Sequence, residues 1–402
     1  MAAVGWAYLG NRLHMSTSRL RALRQTRGVH KIELSYVLAS GRAPEALIRN
    51  PLMDLLAAVR AQGSISSAAR ALGQSYRHVW GELKRWEQEL GHRLIVWDRG
   101  QPARLTEFAD KLLWAERQAQ ARLTPQIAAL HADLERAFAM AFDTSASVLV
   151  MRASHDIALA LLGEHCMPSR LHLDIRFSGS ADALHELNTG RCAIAGFHLP
   201  PRTATGSLIA RTYRPLLHPS RHQLIGFARR VQGLAVARGN PLDLLTIADV
   251  AARGARFVNR SAGTGTRLLL DALCEQHGVD RSMLVGYENE EPSHAAVAQA
   301  VAAGQADTGL CIEAAARSRD LDFVSLLWEE YFLVCDKITM ALPAIRTLQT
   351  VLRSESWIRR LSTLAGYAPA RSGEALSLRD VLPWWGERVD RGAKRDRQSS
   401  AS

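Results

Sequence analysis

The segment ARFVNRSAGTGTR at residues 255–267 brings hydroxyl groups and two cations to a glycine-rich turn before a helix. Gly263 and Gly265 let the backbone turn sharply. The free N–H groups and the dipole of a helix N-terminus favour a negatively charged ligand. We therefore predict an anion-binding loop here, with a simple helix cap as the structural alternative. Its candidate ligands are Arg260, Ser261, Gly263, Thr264, Gly265, Thr266 and Arg267.

Two further loops carry hydroxyl groups directly after short apolar strands. The glycine-rich loop at 255–267 lacks the Gly-Lys-Ser/Thr ending of a P-loop and the GxGxxG pattern of dinucleotide sites, so the sequence does not indicate a nucleotide ligand there. Open α/β sheets bind ligands at the carboxyl ends of their strands. This favours a polar site formed with Ser154, His155, Ser178 and Ser180. His155 has a structural cap as its alternative, and Tyr331 is a further candidate for the lining.

A second polar set, between residues 74 and 85, has the composition of a DNA-recognition helix. Hydrogen-bonding side chains near its start suit base edges, and the later cations suit phosphates. Arg77 can read guanine through two hydrogen bonds. Gly81 costs the helix about 1 kcal/mol relative to alanine, which close approach to DNA or close helix packing would explain. The set comprises Gln74, Ser75, Arg77, His78, Gly81, Lys84 and Arg85.

Three helices and a hairpin between residues 50 and 106 would position this surface. Gly63 ends the first helix, and Ser64 and Ser75 cap the next two. The third helix has an apolar stripe of Val79, Leu83, Trp86 and Leu90, which Tyr76 and Trp80 widen. Residues 93–97 and 103–106 bracket DRGQP and predict a wing with Arg99 near its tip. The structural alternative is a helical hairpin with a solvated basic face.

Composition favours a cytoplasmic protein with more than one domain and a polyanionic partner. The chain has 402 residues and a formal net charge of +11. Its five cysteines are scattered without a CxxC pair, which indicates buried free thiols and no metal site. No apolar run approaches the ~18 residues of a membrane span, and no signal peptide is indicated. Catalytic motifs such as GxSxG or HExxH are absent, so an enzyme or a stand-alone solute-binding protein is the alternative class.

Changes in composition and in the pattern of apolar residues along the chain predict an α/β multi-domain protein. We expect a disordered leader at 1–28 and a DNA-binding domain at 29–105, opened by a strand at 29–40. Linker or dimerisation helices should follow at 106–142, with Thr106 as a cap and Pro125 starting a second helix. Strands at 147–152, 171–177, 193–198 and 308–312 alternate with helices and predict an α/β domain with parallel sheets at 147–371. The basic stretch 386–402 should be a disordered tail.

The N-terminal motif resembles a known class of DNA-binding domain. GSISSAARALGQSYRHVWGELKRWEQELG at 63–91 is similar to the winged helix-turn-helix of ModE-type, molybdate-responsive regulators and, more distantly, of LysR-type regulators. The Ser-Tyr-Arg-x-x-Trp pattern at 75–80 is closer to the ModE side. KIELSYVLAS at 31–40 resembles the strand that opens such domains. The resemblance implies a homodimer that reads a pseudo-palindromic DNA operator, with a higher homo-oligomer as the alternative.

The C-terminal region resembles a type 2 periplasmic-binding-protein-like domain over residues 147–371. The loop at 255–267 and AVAQAVAAGQADTGLCIEAAA at 296–316 carry the resemblance. It implies two lobes that close on a ligand, with the chain crossing between them near 233–240 and 327–334. The loops named above would then converge on one cleft. No cofactor is predicted; the effector should be a small anion, with molybdate or tungstate favoured by the ModE-like head and formate or another carboxylate as the alternative.

Overall fold

The computed structural model describes residues 50–97, 101–142, 146–201 and 203–386. The predicted leader, the strand at 29–40, Arg99 at the wing tip and the tail after Gly386 lie outside these ranges. The N-terminal elements are α1 (Pro51–Gln62), α2 (Ile65–Ala71), α3 (Tyr76–Leu90), β1 (Ile95–Val96), β2 (Arg104–Leu105) and α4 (Glu107–Phe142).

Helices α1 to α3 form a small core with the hairpin β1–β2, as the caps predict. Gly63 ends α1 with a positive φ, and the hydroxyls of Ser64 and Ser75 accept from the amides of Ser67 and His78. Buried side chains of all three helices meet in one apolar cluster. Strands β1 and β2 pair antiparallel and form the expected wing, although each is only two residues long. This part of the chain is therefore a winged helix-turn-helix.

The linker is one helix, so the prediction of linker helices broken at Pro125 is wrong. Helix α4 runs without interruption from Glu107 to Phe142, and the Thr106 hydroxyl accepts from the amide of Ala109 at its start. A proline interrupts a helix partly because it has no N–H for the carbonyl four residues earlier. That carbonyl belongs to Ala121, and it accepts instead from the Ser293 hydroxyl at 3.1 Å. A donor distant in sequence thus replaces the missing one.

The C-terminal domain alternates strands and helices. In chain order its elements are β3 (Ser147–Ala153), α5 (Ile157–Cys166), β4 (Leu171–Phe177), α6 (Ser180–Asn188), β5 (Ile194–Leu199), α7 (Leu208–Tyr213), β6 (His222–Val236), α8 (Ile247–Ala252), β7 (Phe257–Arg260), α9 (Gly265–His277), β8 (Glu290–Glu291), α10 (His294–Ala302), β9 (Thr308–Ile312), α11 (Glu313–Arg317), β10 (Asp322–Asp336), α12 (Pro343–Arg353), α13 (Glu355–Ser362), β11 (Tyr367–Ala368), β12 (Ala375–Leu376), α14 (Leu378–Val381) and α15 (Pro383–Gly386). The four strands predicted from the sequence are all present.

Two long antiparallel strands join the halves of the sheet, so the sheet is mixed and not parallel as predicted. The strand order is β4-β3-β5-β10-β6-β9-β7-β8. Parallel pairs lie at both ends, while β10 pairs antiparallel with both β5 and β6. We call the β3–β5 side lobe I and the β7–β9 side lobe II. Each lobe is an α/β unit, and β6 and β10 carry the chain between them.

The crossing between lobes agrees with one predicted position and differs at the other. Strand β10 pairs with β5 from Glu330 to Val334, within the predicted 327–334. Strand β6 already pairs with β9 from Gln232 onward, so it enters lobe II before the predicted 233–240. The domain core also continues past residue 371, its predicted end, because Trp384 is buried in it.

Candidate functional site

The predicted DNA-recognition residues lie on one exposed surface. Helix α3 leaves these residues uncovered: Gln74, Ser75, Arg77, His78, Gly81, Lys84 and Arg85. Two cations on this surface are held by carboxylates of the same helix, because Lys84 bonds Glu87 and Arg85 bonds Glu82. The opposite face buries Val79 and Leu83, which fixes the orientation of the helix.

Tyr76 does not join the buried stripe as the sequence predicted. Its side chain is 47% exposed. The ring lies nearly parallel to Trp80 at 6.4 Å, and Trp80 in turn meets the edge of Trp97 in the wing. Tyr76 therefore lies outside the apolar cluster that buries Val79 and Leu83, and among the described residues its ring contact is with Trp80. An aromatic strip therefore links the recognition helix to the wing.

No described residue packs against Gly81. A Cβ built on it meets no atom within 4 Å, so close helix packing, one of its two predicted explanations, fails for the described residues. Close approach of DNA stays a prediction, which a substitution can test.

The Gly81→Ala variant should separate folding from DNA binding. Removing the glycine from a helix interior is expected to stabilise the domain by roughly 0.5–1 kcal/mol. The added methyl should weaken DNA binding by about as much as one mismatched base pair, roughly 1–3 kcal/mol. Thermal unfolding and a DNA titration measure the two effects. Gly206→Ala, at an equally uncontacted glycine of the C-terminal domain, is the control; equal DNA affinity in both variants would contradict the assignment.

The loops predicted to bind an anion meet between the lobes. From lobe I, the Ser154 and Ser180 hydroxyls lie 3.2 Å apart. A Cβ on Gly265, at the start of α9 in lobe II, would lie 3.2 Å from the Ser180 hydroxyl and 3.8 Å from His198 Nδ1. A Cβ on Gly179 would lie 2.3 Å from the Gly263 carbonyl oxygen, so the two lobes touch through their backbones. The cleft is therefore closed.

The side chains of the predicted loop divide into free and engaged groups. The Arg260 guanidinium is 2% exposed, and its Nε has no partner. In contrast, the Thr264 hydroxyl caps α9, the Thr266 hydroxyl accepts from Gln232, and the Ser261 hydroxyl donates to a carbonyl. Arg267 bonds Glu290 at 2.8 Å and lies over the Tyr287 ring. Arg260 is thus the cation of this loop that remains available.

Unpartnered polar atoms gather around the same cleft. They come from lobe I, lobe II and the crossing strands, and all are buried. Among the described residues these are Ser178 Oγ, both ring nitrogens of His198, Gln232 Oε1, Arg260 Nε, His294 Nδ1 and the Tyr331 hydroxyl. Buried polar groups without a partner are uncommon in folded proteins and call for a ligand or water. His155 also reaches this region, where its ring contacts Phe177.

A buried ion cluster links lobe I to the two crossing strands. Arg230 on β6 faces Glu329 on β10 in strand register and bonds its carboxylate at 2.6 Å. Its guanidinium also bonds Asp156, which accepts from the Tyr367 hydroxyl at 2.8 Å. Burial opposes the charge of Arg230, but Glu329 and Asp156 raise the pKa of Arg230 above its ordinary value. The sequence signal that was missed is a charged residue inside the apolar strand LIGFARRVQGLAV.

Arg260 lacks the carboxylate that Arg230 has. Within the described residues no acidic side chain lies within salt-bridge distance of its guanidinium, which donates to the Glu291 carbonyl at 2.7 Å. Burial, and then the neighbouring Arg230, lower the pKa of Arg260 to about 10. Smaller effects of Cys311 and Glu291 raise this pKa, and the group stays charged at neutral pH. The cleft therefore holds a cation with no salt-bridge partner among the described residues.

Three histidines of the cleft are held neutral. Burial and Arg260 lower the pKa of His155 to about 4. Burial, followed by nearby arginines, holds the pKa values of His198 and His294 well below the ordinary range. Neutral imidazoles can donate one hydrogen bond each and can take up a proton when an anion arrives.

The free energy of unfolding should therefore fall as the pH decreases. His155 has a folded pKa of about 4 and an unfolded pKa of about 6.5, so the unfolded chain binds more protons between these values. For this residue the loss from pH 7.5 to 5 is roughly 2 kcal/mol. Urea unfolding at the two pH values measures it. His155→Gln should reduce the loss, whereas His218→Gln, at an exposed histidine, should not; greater stability at pH 5 would contradict the account.

Comparisons with known proteins agree with this architecture. Residues 52–110 match the family "Bacterial regulatory helix-turn-helix protein, lysR family", and residues 163–353 match the "PBP superfamily domain". The uncharacterized protein YvgK of Bacillus subtilis is 31% identical over 228 residues, which cover 56% of this chain and 73% of that protein. An uncharacterized protein from the 5' region of a ferredoxin 2Fe-2S gene of Clostridium pasteurianum is 32% identical over 27% of this chain and 98% of that protein.

Two solved structures of Corynebacterium glutamicum proteins also align with the chain. The C206 mutant of OxyR is 15% identical with a TM-score of 0.36, and the alignment covers 77% of this chain and 92% of that chain. Full-length LysG is 19% identical with a TM-score of 0.34, and the alignment covers 75% of this chain and 94% of that chain. At these TM-scores the likeness supports no conclusion about function.

The chain belongs to the family of regulators that join a LysR-family helix-turn-helix to a PBP superfamily domain. It is a DNA-binding transcription regulator with a ligand-binding C-terminal domain. Among the described residues no helix is long and apolar enough to span a membrane.

Proposed function

We propose that the chain regulates transcription in response to a small anion bound between lobes I and II. The observation that carries this proposal is Arg260, a buried cation without a carboxylate partner and with a free Nε. Burying such a charge is costly, and an anion would compensate it. Helices α6, α9 and α10 begin at the same cleft and add their dipoles.

A tetrahedral oxyanion of the molybdate or tungstate type is the favoured effector. Free donors approach the cleft from both lobes and from the crossing strands, so they surround a ligand on several sides. The four oxygens of a tetrahedral oxyanion point in different directions and can accept hydrogen bonds from more of these donors than the two coplanar oxygens of formate can. Formate or another small carboxylate is the second candidate, because its single charge matches Arg260 alone.

A thermal-shift screen of the full chain separates these candidates. Molybdate, tungstate, sulfate, phosphate, formate and acetate would be added individually as sodium salts. A ligand at 100 times its Kd adds about 2.7 kcal/mol to the free energy of unfolding, a shift of a few degrees. A shift with metal oxyanions alone supports the first candidate, and a shift with carboxylates alone supports the second. No shift with any anion would contradict the proposal.

We further propose that the DNA-binding form is a homodimer reading a pseudo-palindromic operator. The division into a DNA-binding unit at 29–105, a linker at 106–142 and a sensor at 147–371 follows from the same resemblance. The exposed face of α3 supports DNA contact, since its polar residues are uncovered in the single chain. Sedimentation of the protein with and without operator DNA tests the dimer.

A further inference from the structure

Glu291 lies between the cleft and the linker helix and binds each through a different group. Its carbonyl oxygen accepts from the Arg260 guanidinium at 2.7 Å and from the Ser261 amide at 3.2 Å. Its carboxylate, 4% exposed, accepts from Gln118 at 2.8 Å and from two nitrogens of Arg122 at 2.7 and 3.0 Å. Glu291 therefore contacts both helix α4 and Arg260, the side chain that is proposed to bind the anion.

A second contact to the same helix comes two residues later. The Ser293 hydroxyl donates to the Ala121 carbonyl at 3.1 Å, and the Ser293 oxygen also caps α10. Pro125 has no N–H to give that carbonyl. The sensor domain thus completes a turn of the linker helix that the linker sequence leaves open.

Helix α4 reaches from the DNA-binding core to both lobes. Its first turns bury Ala109 and Leu113 in the core of the winged helix-turn-helix. Residues 118–122 contact lobe II at Glu291, and Asp133 lies 3.7 Å from Arg176 of lobe I. Because the helix is continuous and stiff, a movement of one lobe relative to the other must displace it.

We propose that the segment Glu291–Ser293 transmits occupancy of the cleft to helix α4 and so to the DNA-binding domain. This inference rests on the proposed anion site. An anion engages the free Nε of Arg260 and draws the guanidinium and the adjoining Glu291 carbonyl toward the cleft. The Glu291 carboxylate and the Ser293 hydroxyl then carry α4 with them, through Gln118, Arg122 and Ala121.

Hydrogen exchange of the empty protein tests the connection without any ligand. Arg260→Met should lower the protection of the α4 amides at 118–124 by roughly 2- to 30-fold, the range for coupling between distant sites. Arg122→Met should lower the same protection, and adding Arg260→Met to it should have little further effect. Lys111→Met, which removes a cation from α4 within the DNA-binding domain, is the control. Unchanged exchange at 118–124 in Arg260→Met would overturn the inference.

DNA titrations with and without sodium molybdate, and in parallel with sodium formate, test the consequence. In the wild-type chain the effective anion should change the Kd for DNA by roughly 5- to 150-fold. Arg122→Met should leave the Kd for the anion about unchanged and reduce the change in DNA affinity to about twofold or less. Lys111→Met should keep the wild-type ratio. If Arg122→Met folds poorly, Arg122→Met with Glu291→Gln removes both charges and avoids an isolated buried carboxylate.

The outcomes distinguish this inference from the proposed function. An Arg122→Met chain that retains the wild-type ratio would overturn the role of Glu291 while leaving the anion site intact. If neither anion changes the Kd of the wild-type chain for DNA, the proposed function is contradicted. The exchange experiment would still test the connection between Arg260 and α4.

Discussion

Arg230→Met is expected to lower the free energy of unfolding of the C-terminal domain by about 3–5 kcal/mol. Arg230 is 1% exposed and bonds both Asp156 and Glu329. Without it, two carboxylates remain buried near each other with no cation between them. Methionine fills a similar volume, so the loss reports charge rather than packing. Urea unfolding followed by fluorescence at pH 7.5 measures it.

Two comparisons make this prediction specific. Arg229→Met removes the adjacent exposed arginine, which lies over Trp328, and should cost less than about 1 kcal/mol. Adding Asp156→Asn and Glu329→Gln to Arg230→Met removes every charge of the cluster and should recover much of the loss. An Arg230→Met chain as stable as Arg229→Met would contradict the role of the cluster.

Arg260→Met is expected to weaken anion binding by roughly 10- to 150-fold, the value of a charge-assisted hydrogen bond. The same change should loosen only the α4 contact described above and should not lower the global free energy of unfolding of the empty protein, since it removes a buried cation that has no salt-bridge partner among the described residues. Arg267→Met is the informative comparison, because the sequence predicts both arginines as ligands and the structure bonds Arg267 to Glu290. We expect a smaller loss of affinity for Arg267→Met. Isothermal titration with the effective anion measures both, and equal losses would argue against Arg260 as the principal cation.

Much of the fold is predictable from the sequence because its signals are local. Ser64, Gly63 and Ser75 specify where helices begin and end through caps formed within four residues. The strands at 147–153 and 171–177 are short apolar runs bounded by polar loops. The hydroxyl-rich loops could be placed at strand ends for the same reason.

The errors and omissions involve partners that are distant in sequence. Arg230 and Glu329 are 99 residues apart and pair only because β6 and β10 lie side by side. His198 lies within a buried strand and has no local signal of a site. Pro125 supplies no N–H to the Ala121 carbonyl, as its residue type predicts, but the Ser293 hydroxyl, 172 residues from Ala121, donates to that carbonyl instead. Tyr76 has the correct helical spacing, yet the core ends before it.

The most direct test of the account is diffraction from crystals of the full chain grown with sodium tungstate, whose metal scatters anomalously. We expect one anomalous peak between the lobes. It should mark a tungstate whose oxygens lie within hydrogen-bonding distance of Arg260 and His198. Crystals grown with formate should show density at the same place if a carboxylate is the effector. A closed cleft without either anion, in crystals that hold the anion elsewhere, would contradict the central claim.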